Sequence, residues 1–339
     1  MKRSSLRLAA AALAASTLVL AGCGTDDADP GPASGDGTDG TDAAEEARTY
    51  SIGITQIAAH PSLDASREGF KAALEDAGLQ VEFDEQSASG DQATAISIAN
   101  GFAGSGHDLI LAIATPTAQA TAQAITDTPI LFTAVTEPQE AGLVDSWEAP
   151  GGNVTGTSDL NPVGEQLSLI TELAPDAETI GIVHSSGEVN SEIQVELARE
   201  AAGDLGVEIE VATVTNSSEV QQAADSLDVD AYFMPTDNTV VAAFESLLQV
   251  AEARSVPLVT ADGESVERGA IATYGVDYEQ LGYRTGEMAV EILQEGADPA
   301  EMPVETYDEL LLTVNPAAAE RMGVEIPAAL LDRADVVLD

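Results

Sequence analysis

From Tyr50 onward the sequence alternates short apolar runs with amphipathic stretches of helical periodicity. Apolar runs of about four to eight residues, each followed by a helical stretch, are typical of strand–helix–strand units. Such units form parallel sheets whose two faces are covered by helices. The alternation therefore predicts an α/β fold of doubly wound parallel sheets.

The alternation also predicts two lobes, because it breaks at Ala149-Pro150-Gly151-Gly152-Asn153 and then restarts. A chain of 339 residues exceeds the roughly 100 to 200 residues of a usual single domain. The first lobe is predicted to have strands at 51–57, 81–86, 108–114 and 129–135 and helices at 61–77, 91–103 and 116–125. The second is predicted to have strands at 180–184, 209–214, 231–234, 258–261 and 271–274 and helices at 163–173, 191–205, 219–227, 239–253 and 278–293. Residues 310–314 and a short helix after Asn315-Pro316 are expected to cross back between the lobes.

The N-terminus has the layout of a secretory signal peptide. Lys2, Arg3 and Arg7 precede an apolar run at 8–20, which is shorter than the roughly 20 residues of a permanent membrane-spanning helix. The small residues before Cys23 resemble a lipobox, the cleavage signal of bacterial lipoproteins. The resemblance implies removal of residues 1–22 and lipidation of Cys23, and the alternative is a free cysteine. No other cysteine is present, so the sequence excludes an intrachain disulfide and a thiolate metal cluster.

Residues 23–49 follow the signal peptide and contain almost nothing to bury, since they are mostly Asp, Gly, Thr, Pro and Ala. This composition predicts a disordered acidic tether. A flexible segment of about 25 residues reaches on the order of 25 to 30 Å, enough to hold a globular body just above a membrane. The alternative, an ordered N-terminal subdomain, has no hydrophobic period to support it.

The chain is strongly acidic, with 12 Lys and Arg against 59 Asp and Glu and a formal net charge of -47. Nucleic-acid binding requires a basic stripe that neutralises phosphates, so the composition excludes that class of partner. A large net charge of one sign favours solubility and carries little information about fold.

A ligand site is expected where the parallel strands end and the following helices begin. After the strand predicted at 108–114, Thr115 is expected to be an N-cap and Pro116 the first helical residue. The backbone N–H groups around Thr117 and Ala118 would then face the cleft, where the helix dipole favours an anion such as a carboxylate. The alternative is that Thr115 only caps its own helix.

The second lobe supplies candidate partners for a ligand ammonium. Asp237 follows the strand predicted at 231–234, and Asp262 follows the one at 258–261. A carboxylate facing the cleft would form a charge-assisted hydrogen bond with an ammonium while the Thr115 turn holds the other end of the ligand. For each acid the alternative is a helix cap. The other polar residues near predicted strand ends are Gln56, His60, Thr136, Glu137, Ser158, Asp159, Ser185 and Asn190.

Patterns typical of catalysis or metal binding do not occur in the sequence. The glycines at 151–156 are not followed by Lys-Ser/Thr as in a phosphate loop, and no Gly-x-Ser-x-Gly nucleophile motif is present. The histidines His60, His107 and His184 do not have the spacing of metal ligands. We therefore expect no catalytic residue, no metal and no cofactor.

Six short segments carry a resemblance to a known family: Ile-Gly-Ile-Thr-Gln at 52–56 with His-Pro at 60–61, Ile-Ala-Thr-Pro at 113–116, Phe-Thr-Ala-Val-Thr at 132–136, Pro-Gly-Gly-Asn-Val-Thr-Gly at 150–156, Pro-Thr-Asp-Asn-Thr at 235–239 and Ala-Thr-Tyr-Gly-Val-Asp at 272–277. Together they resemble the substrate-binding lipoproteins of ABC transporters, some of which take up tryptophan, tyrosine or phenylalanine. The resemblance covers residues 50–333. It fails at 184–188, His-Ser-Ser-Gly-Glu, where members commonly carry Tyr-Asn-Pro-Gly-Glu.

The resemblance implies a type I periplasmic-binding-protein fold, in which two lobes joined by three crossings close over a small ligand. The crossings would lie near 155–160, 274–277 and 306–314. They would divide the chain into an N-terminal lobe of 50–157 plus 278–305 and a C-terminal lobe of 158–277 plus 306–339. Asn238 and Tyr274, which lie in matching segments, complete the candidate ligand-binding residues.

We interpret the sequence as that of a receptor, not an enzyme, anchored by lipid to the outer face of the cell membrane. It would capture a small zwitterion, an amino acid with aromatic ones among the candidates, and deliver it to an ABC permease and its ATPase. We expect a monomer whose hinge closure is selected by the ligand. The alternatives are a ligand-sensing lipoprotein that serves signalling and, since fold does not fix function, a hydrolase on the same fold.

Overall fold

Two sheets organise the residues that the computed structural model describes, which are 48–307 and 309–338. The predicted signal peptide, Cys23 and nearly all of the predicted tether lie outside these residues. Within them, no helix is long and apolar enough to cross a membrane.

The secondary-structure elements alternate as the sequence predicts. The strands are β1 (Thr49–Gln56), β2 (Gln80–Ser87), β3 (Leu109–Ile113), β4 (Ile130–Thr133), β5 (Val154–Ser158), β6 (Thr179–Ser185), β7 (Glu208–Val214), β8 (Ala231–Met234), β9 (Leu258–Thr260), β10 (Ala272–Val276), β11 (Glu305–Thr306), β12 (Leu310–Val314) and β13 (Val336–Val337). The helices are α1 (Pro61–Asp76), α2 (Gln92–Phe102), α3 (Thr115–Ala124), α4 (Val163–Leu173), α5 (Val189–Leu205), α6 (Val220–Ser226), α7 (Asn238–Val241), α8 (Phe244–Arg254), α9 (Gly263–Arg268), α10 (Tyr278–Val290), α11 (Pro316–Arg321) and α12 (Ala328–Arg333). Short 3-10 turns lie at Ser217–Glu219 and Pro299–Glu301, and a π-helical turn at Glu291–Glu295 continues α10.

The described strands form one six-stranded and one seven-stranded sheet. Their orders are β11-β5-β4-β3-β1-β2 and β13-β12-β10-β9-β8-β6-β7. Neighbouring strands are parallel, except that β10 and β12 are antiparallel. The apolar strand β3 is buried at every residue, as expected for a parallel strand covered on both faces. The predicted α/β fold with two parallel-sheet lobes is confirmed.

Some predicted elements need correction. The helix predicted at 239–253 is two helices, α7 and α8, separated at Ala242 and Ala243, where the Ala243 backbone leaves the helical region at φ -112° and ψ 24°. Helices α9 and α12 were not predicted, and neither were strands β11 and β13, which have two residues each. Elements of two to six residues are shorter than the stretches over which hydrophobic periodicity can be recognised, so their sequences carry little signal.

Each sheet with its helices is called a lobe below, and the chain passes between the lobes at three places in the described residues. The passages follow β5 at Ser158, β10 at Val276 and β11 at Thr306. Two separate cores result, one on each sheet. The ends of strands from both sheets therefore face each other near these passages.

Helix α10 follows the second sheet in sequence but packs against α1 in the first lobe. Glycines allow the two backbones to approach closely. A Cβ atom on Gly282 would lie 1.9 Å from Ser66 O, and one on Gly69 would lie 2.0 Å from Glu279 O. Both distances are far below van der Waals contact, so this interface requires glycine at both positions. The side chains that α10 adds to the first core include Tyr278, Leu281 and Met288.

Candidate functional site

A small cavity of about 20 Å³, which we call the inner cavity, lies between the two lobes. It is far below the roughly 300–1,000 Å³ of small-molecule pockets, so a ligand the size of an amino acid would also occupy the larger space that adjoins it at Asn238. The first lobe contributes His60, Ser62, Leu63, Ala134 and Tyr278, and the second contributes Asp159, Thr236, Asn238, Val241 and Asp262.

Asp262 brings to the inner cavity a carboxylate oxygen that has no donor. The residue is the N-cap of α9, and its Oδ1 accepts a hydrogen bond from Ser265 N at 2.8 Å. Its Oδ2 is buried and has no hydrogen-bond partner among the described residues. A buried carboxylate oxygen without a donor is costly, and a ligand ammonium would supply a charge-assisted bond.

Asp159 is a second carboxylate in the inner cavity, and groups of the first lobe hold it in place. Tyr278 Oη donates to Asp159 Oδ2 at 2.8 Å, and Thr136 Oγ1 donates to Asp159 Oδ1 at 3.0 Å. Burial raises the pKa of Asp159, and these hydrogen bonds oppose that shift. Burial also raises the pKa of Tyr278, which keeps its hydroxyl protonated as the donor.

The charged side chains that line the inner cavity are acidic. Among the described residues, its lining includes Asp159 and Asp262 but neither lysine nor arginine. Burial lowers the pKa of His60, which favours the neutral imidazole, and its Nε2 lies 3.4 Å from Asn238 Oδ1. In the described part of the chain, His60 Nδ1 has no partner. The cavity therefore favours a ligand that brings a positive charge.

The first turn of α1 offers backbone donors for an anionic group. His60 is the N-cap of α1, its side chain makes no capping hydrogen bond within the described structure, and Pro61 follows it. The first N–H groups of a helix have no acceptor inside it, and this applies to Ser62 and Leu63, which both line the inner cavity. The helix dipole adds a partial positive charge at the same place.

The Thr115 turn lies beside a second, larger space, which we call the outer cavity. It has a volume of about 380 Å³ and adjoins the inner cavity at Asn238, which lines both. Its lining includes Gln92 at the start of α2, Pro116 of α3 and the segment Ser185 to Glu188. The two cavities together form the interlobe cleft.

Thr115 is not the N-cap that the sequence predicted. Helix α3 begins at Thr115 itself, and Ala114 occupies the cap position with a φ of 77°. A residue already inside the helix cannot cap it, and the Thr115 hydroxyl has no partner among the described residues. Thr117 Oγ1 donates to Ile113 O at 2.5 Å, and Ala118 N donates to Ala114 O at 3.1 Å. The N–H group of Ala118, which the sequence placed in the cleft, is therefore used inside the helix.

Asp237 is not one of the residues that line the inner cavity. Its Oδ2 accepts from Ser185 N at 2.5 Å, and its Oδ1 accepts from Val240 N at 2.8 Å. Burial, and next the charge of Glu188, raise the pKa of Asp237 to about 7. Both carboxylate oxygens serve the backbone of the second lobe, so the geometry favours the capping alternative over contact with a ligand ammonium.

Glu188 is a cleft residue that the sequence reasoning missed. Its carboxylate accepts from Asn238 N and from Thr239 N, both at 3.0 Å, and so caps the start of α7. Asn190 supports the same turn, because its Nδ2 donates to Thr236 O at 2.9 Å. The start of α7 is therefore satisfied from within its own lobe, and Asn190 acts as a support for the cleft.

Four other predicted residues are outside the described linings of both cavities. Gln56 Nε2 donates to Ala58 O at 2.7 Å, and Glu137 Oε1 accepts from Trp147 Nε1 at 2.8 Å. Ser158 Oγ donates to Thr136 O at 2.8 Å, beside the first passage between the lobes. Tyr274 lies on β10, where its carbonyl accepts from Gln166 Nε2 at 2.5 Å.

Several lining residues were not predicted. Leu63, Ala134 and Val241 are apolar and gave no sequence signal distinct from that of a core residue. Ser62, Thr236 and Tyr278 each lie at or just before the start of a helix that follows a strand. For these three residues, position at a strand-to-helix junction was the signal that could have been used.

Hydrogen bonds across the cleft hold the lobes close together. Gln92 Nε2 donates to Gly187 O at 2.7 Å. Thr136 Oγ1 and Thr236 Oγ1 are 3.3 Å apart, and Ser62 Oγ lies 3.3 Å from Asp262 Oδ1. The cleft is therefore closed.

No group of three or more His, Cys, Asp or Glu residues that could hold a metal ion is found in the described structure.

Comparison with known proteins gives a consistent result. A family profile described as ABC transporter substrate binding protein matches residues 51–338. The chain is 42% identical over 289 residues to a tyrosine-binding protein of Clostridioides difficile (strain R20291), which covers 82% of this chain and 84% of that protein. It resembles the structure of an ABC domain from Streptococcus pneumoniae in complex with L-Trp, with 35% identity, a TM-score of 0.83 and coverage of 86% of this chain and 100% of that one. It also resembles a ligand-free, open substrate-binding protein with adhesive properties from Clostridium difficile, with 42% identity, a TM-score of 0.65 and coverage of 86% and 99%.

The two structural comparisons differ in a way that sequence divergence does not explain. The open structure has the higher identity, 42% against 35%, but the lower TM-score, 0.65 against 0.83. The arrangement of the lobes in this chain is therefore nearer to the complex with L-Trp than to the open form. This agrees with the hydrogen bonds across the cleft.

Proposed function

Because the chain belongs to the family of ABC transporter substrate-binding proteins, we propose that it captures a zwitterionic aromatic amino acid for an ABC importer. Its two lobes have the type I periplasmic-binding-protein fold. Relatives are described as binding proteins, for tyrosine in one case and in complex with L-Trp in another, which supports binding without turnover.

The observation that carries this proposal is the presence of Asp262 in the lining of the inner cavity, with a buried Oδ2 that has no hydrogen-bond partner among the described residues. An ammonium there would donate to Asp262 and lie near Asp159, the second carboxylate of the lining. Both partners are buried, and a hydrogen bond to a charged group contributes about 1.5–3 kcal/mol. The ammonium is thus the part of the ligand that the cavity recognises most strongly.

The carboxylate of the ligand is assigned to the first turn of α1. Ser62 and Leu63 present N–H groups there, and the cavity brings this turn to face Asp262. This differs from the sequence prediction, which gave the same role to the Thr115 turn. The Thr115 turn borders the outer cavity through Pro116, where it would meet the far end of a longer ligand.

The side chain of the ligand is assigned to the apolar part of the lining. Leu63 and Val241 come from opposite lobes, and Tyr278 adds an aromatic ring whose hydroxyl is engaged by Asp159. Aromatic rings pack well against such surfaces in edge-to-face or offset geometry. The outer cavity gives room for a ring that extends past Asn238.

The anchoring and delivery steps belong to the same proposal. Cys23 would carry the lipid, and the acidic segment after it would tether the lobes to the outer face of the membrane. The closed, monomeric receptor would then dock on a permease and its ATPase. Replacing Cys23 with Ala is expected to release the protein from the membrane fraction without changing ligand affinity.

A thermal-shift panel on the chain without its signal peptide tests the ligand class. L-Tyrosine, L-tryptophan and L-phenylalanine should raise the melting temperature, since selective binding stabilises the native state. N-acetyl-L-tyrosine, which has no ammonium, should give no shift, and tyramine, which has no carboxylate, should give a smaller one. A response to glucose or uridine but to no amino acid would overturn the proposal.

A further inference from the structure

Ser62 Oγ lies between two carboxylates of the opposite lobe. It is 3.3 Å from Asp262 Oδ1 and 3.2 Å from Glu264 Oε2. Ser62 belongs to α1 in the first lobe, whereas Asp262 and Glu264 lie at the start of α9 in the second. The three side chains meet across the cleft, so separation of the lobes breaks the arrangement.

The number of protons available decides how these three groups interact. A serine hydroxyl has one proton, so Ser62 can donate one well-directed hydrogen bond to one of the two acids, and not one to each. The second pair of oxygens can form a hydrogen bond only if that carboxyl carries its own proton and donates it to Ser62 Oγ. Without that proton, the hydroxyl oxygen would face a carboxylate oxygen with no hydrogen between them.

Glu264 is the acid that we expect to carry the proton. Asp262 Oδ1 already accepts from Ser265 N, so the oxygen that faces Ser62 is placed as an acceptor. Glu264 Oε2 would therefore donate to Ser62 Oγ, while the Ser62 hydroxyl donates to Asp262 Oδ1. Asp262 Oδ2 stays available for the ligand ammonium.

The charged surroundings of Glu264 favour the same assignment. Burial, and next the charge of Asp262, raise the pKa of Glu264 to about 8. Among the described residues, no lysine or arginine lines the inner cavity or the groove on the other side of Glu264. The titratable groups near Glu264 come from three places. Asp262 and Glu267 belong to its own helix α9 and the N-cap of that helix. The others are Asp277 and Glu279 in the groove, and Asp159, Tyr278 and His60 in the inner cavity.

We propose that closure of the lobes over the ligand takes up one proton at Glu264, so that the affinity for the ligand depends on pH. The inference rests on the proposed binding function and adds a regulation of the same cleft. In the open protein Glu264 loses Ser62 and gains water, so it behaves as an ordinary carboxyl group. In the closed protein the proton completes the hydrogen bonds between the lobes.

The direction of the pH effect follows from linkage. The pKa of an ordinary glutamate is about 4.3, and the closed state raises the pKa of Glu264 to about 8. Between these values closure binds a proton, so affinity falls by about tenfold for each pH unit of increase. Below an ordinary histidine pKa of 6.5, His60 acts in the opposite direction, because burial lowers its pKa and closure expels its proton. Between pH 6.5 and 7.5 His60 raises affinity by at most about twofold, and Glu264→Gln keeps this contribution, so the difference between the two proteins isolates the effect of Glu264.

Isothermal titration calorimetry with L-tyrosine and L-tryptophan, in buffers of different ionisation enthalpy, tests the proposal. The wild-type protein should bind about four- to eightfold more weakly at pH 7.5 than at pH 6.5 and take up close to one proton per ligand at pH 7.5. Glu264→Gln should lose this decrease in affinity and the proton uptake, because its amide always donates to Ser62, and should keep only the small opposite effect of His60. Glu267→Gln, an exposed acid on the same helix, should retain the wild-type pH dependence.

A flat wild-type profile, or a wild-type slope in Glu264→Gln, would overturn the inference even though ligand binding itself succeeds.

If neither amino acid binds, the proposed ligand class fails and the proton site is tested without ligand. Cysteines at Gln92 and Gly187, which approach each other across the cleft, would be joined by a short crosslinker in a Cys23→Ala background. Carbon-13 NMR should then show a glutamate carboxyl that titrates near pH 8 only in the closed, crosslinked form and not in its Glu264→Gln variant. Absence of this signal would overturn the inference.

Discussion

Tyr278 Oη donates a hydrogen bond to Asp159 Oδ2 at 2.8 Å, and this bond joins the two lobes beside the passages of the chain between them. Tyr278 begins α10, which packs in the first lobe, whereas Asp159 follows β5 at the entry to the second. The bond has two effects, since it orients a carboxylate in the inner cavity and fixes α10 relative to the second lobe.

Replacing Tyr278 with Phe should lower the free energy of unfolding by about 1–3 kcal/mol, because a buried carboxylate loses a hydrogen bond. Urea unfolding measures this change. Tyr283→Phe is the matched control, since Tyr283 lies on the same helix and donates to the exposed Asp76 at 3.1 Å. The control should stay within about 0.5 kcal/mol of the wild type. Equal losses in both variants would contradict a special role for the Tyr278 bond.

Replacing Asp262 with Asn should weaken the binding of L-tyrosine or L-tryptophan by about 10- to 150-fold, which corresponds to a lost charge-assisted bond of about 1.5–3 kcal/mol. The amide oxygen of Asn can still cap α9 at Ser265 N, so the fold should be kept. Asp298→Asn, at the N-cap of the 3-10 turn Pro299–Glu301 and outside the linings of both cavities, should leave affinity nearly unchanged. Calorimetry compares the three proteins, and unchanged affinity in Asp262→Asn would remove the ammonium assignment.

Replacing Asp237 with Asn should reduce stability through the backbone of the second lobe. One amide oxygen cannot replace two carboxylate oxygens, so Ser185 N or Val240 N loses its acceptor at a cost of about 1–3 kcal/mol. Burial, followed by the charge of Glu188, raises the pKa of Asp237 to about 7, so its contribution to stability is largest at low pH and declines as pH rises towards 7. The stability advantage of the wild type over Asp237→Asn in urea should therefore be smaller at pH 8 than at pH 5. An advantage that grows with pH would contradict this.

Replacing Gly282 with Ala should destabilise the protein by several kcal/mol, because the new Cβ would lie 1.9 Å from Ser66 O and would force α1 and α10 apart. Gly203→Ala is the matched control, since this glycine lies in α5 and a Cβ there would meet no described atom within 4 Å. Removing a glycine from an exposed helical position should stabilise by about 0.5–1 kcal/mol. Thermal unfolding distinguishes the two variants, and a loss of similar size in both would contradict the role of close approach at Gly282.

The fold was predictable because its strands are covered on both faces and so appear as continuous apolar runs, as in β3. The site was harder, and Asp237 and Asp262 show why. Both follow a buried strand and both cap the next helix, so their local sequences are alike. Asp237 lies next to the end of β6, where Ser185 N donates a hydrogen bond to the second carboxylate oxygen of Asp237. Asp262 instead faces Ser62 across the cleft. Only the three-dimensional arrangement of the lobes distinguishes the two acids.

Thr115 illustrates a second limit. A threonine followed by proline is typical of an N-cap, but a φ of 77° at Ala114 moves the cap one residue earlier. Positive φ is uncommon for alanine, so composition gives no warning of it. Ala134, which follows β4 and lines the inner cavity, also has a positive φ, of 54°. Unusual backbone conformations thus accompany the cleft and shift its helix ends away from the positions that local patterns predict.

The close pairing of α1 with α10 has a consequence for how the protein is made. A chain leaving the ribosome presents α1 more than 200 residues before α10, and β11 comes later still. The first lobe therefore cannot finish folding until nearly the entire polypeptide has emerged. For the exported receptor that we propose, this delay would keep the nascent chain in the extended form that a translocation channel accepts.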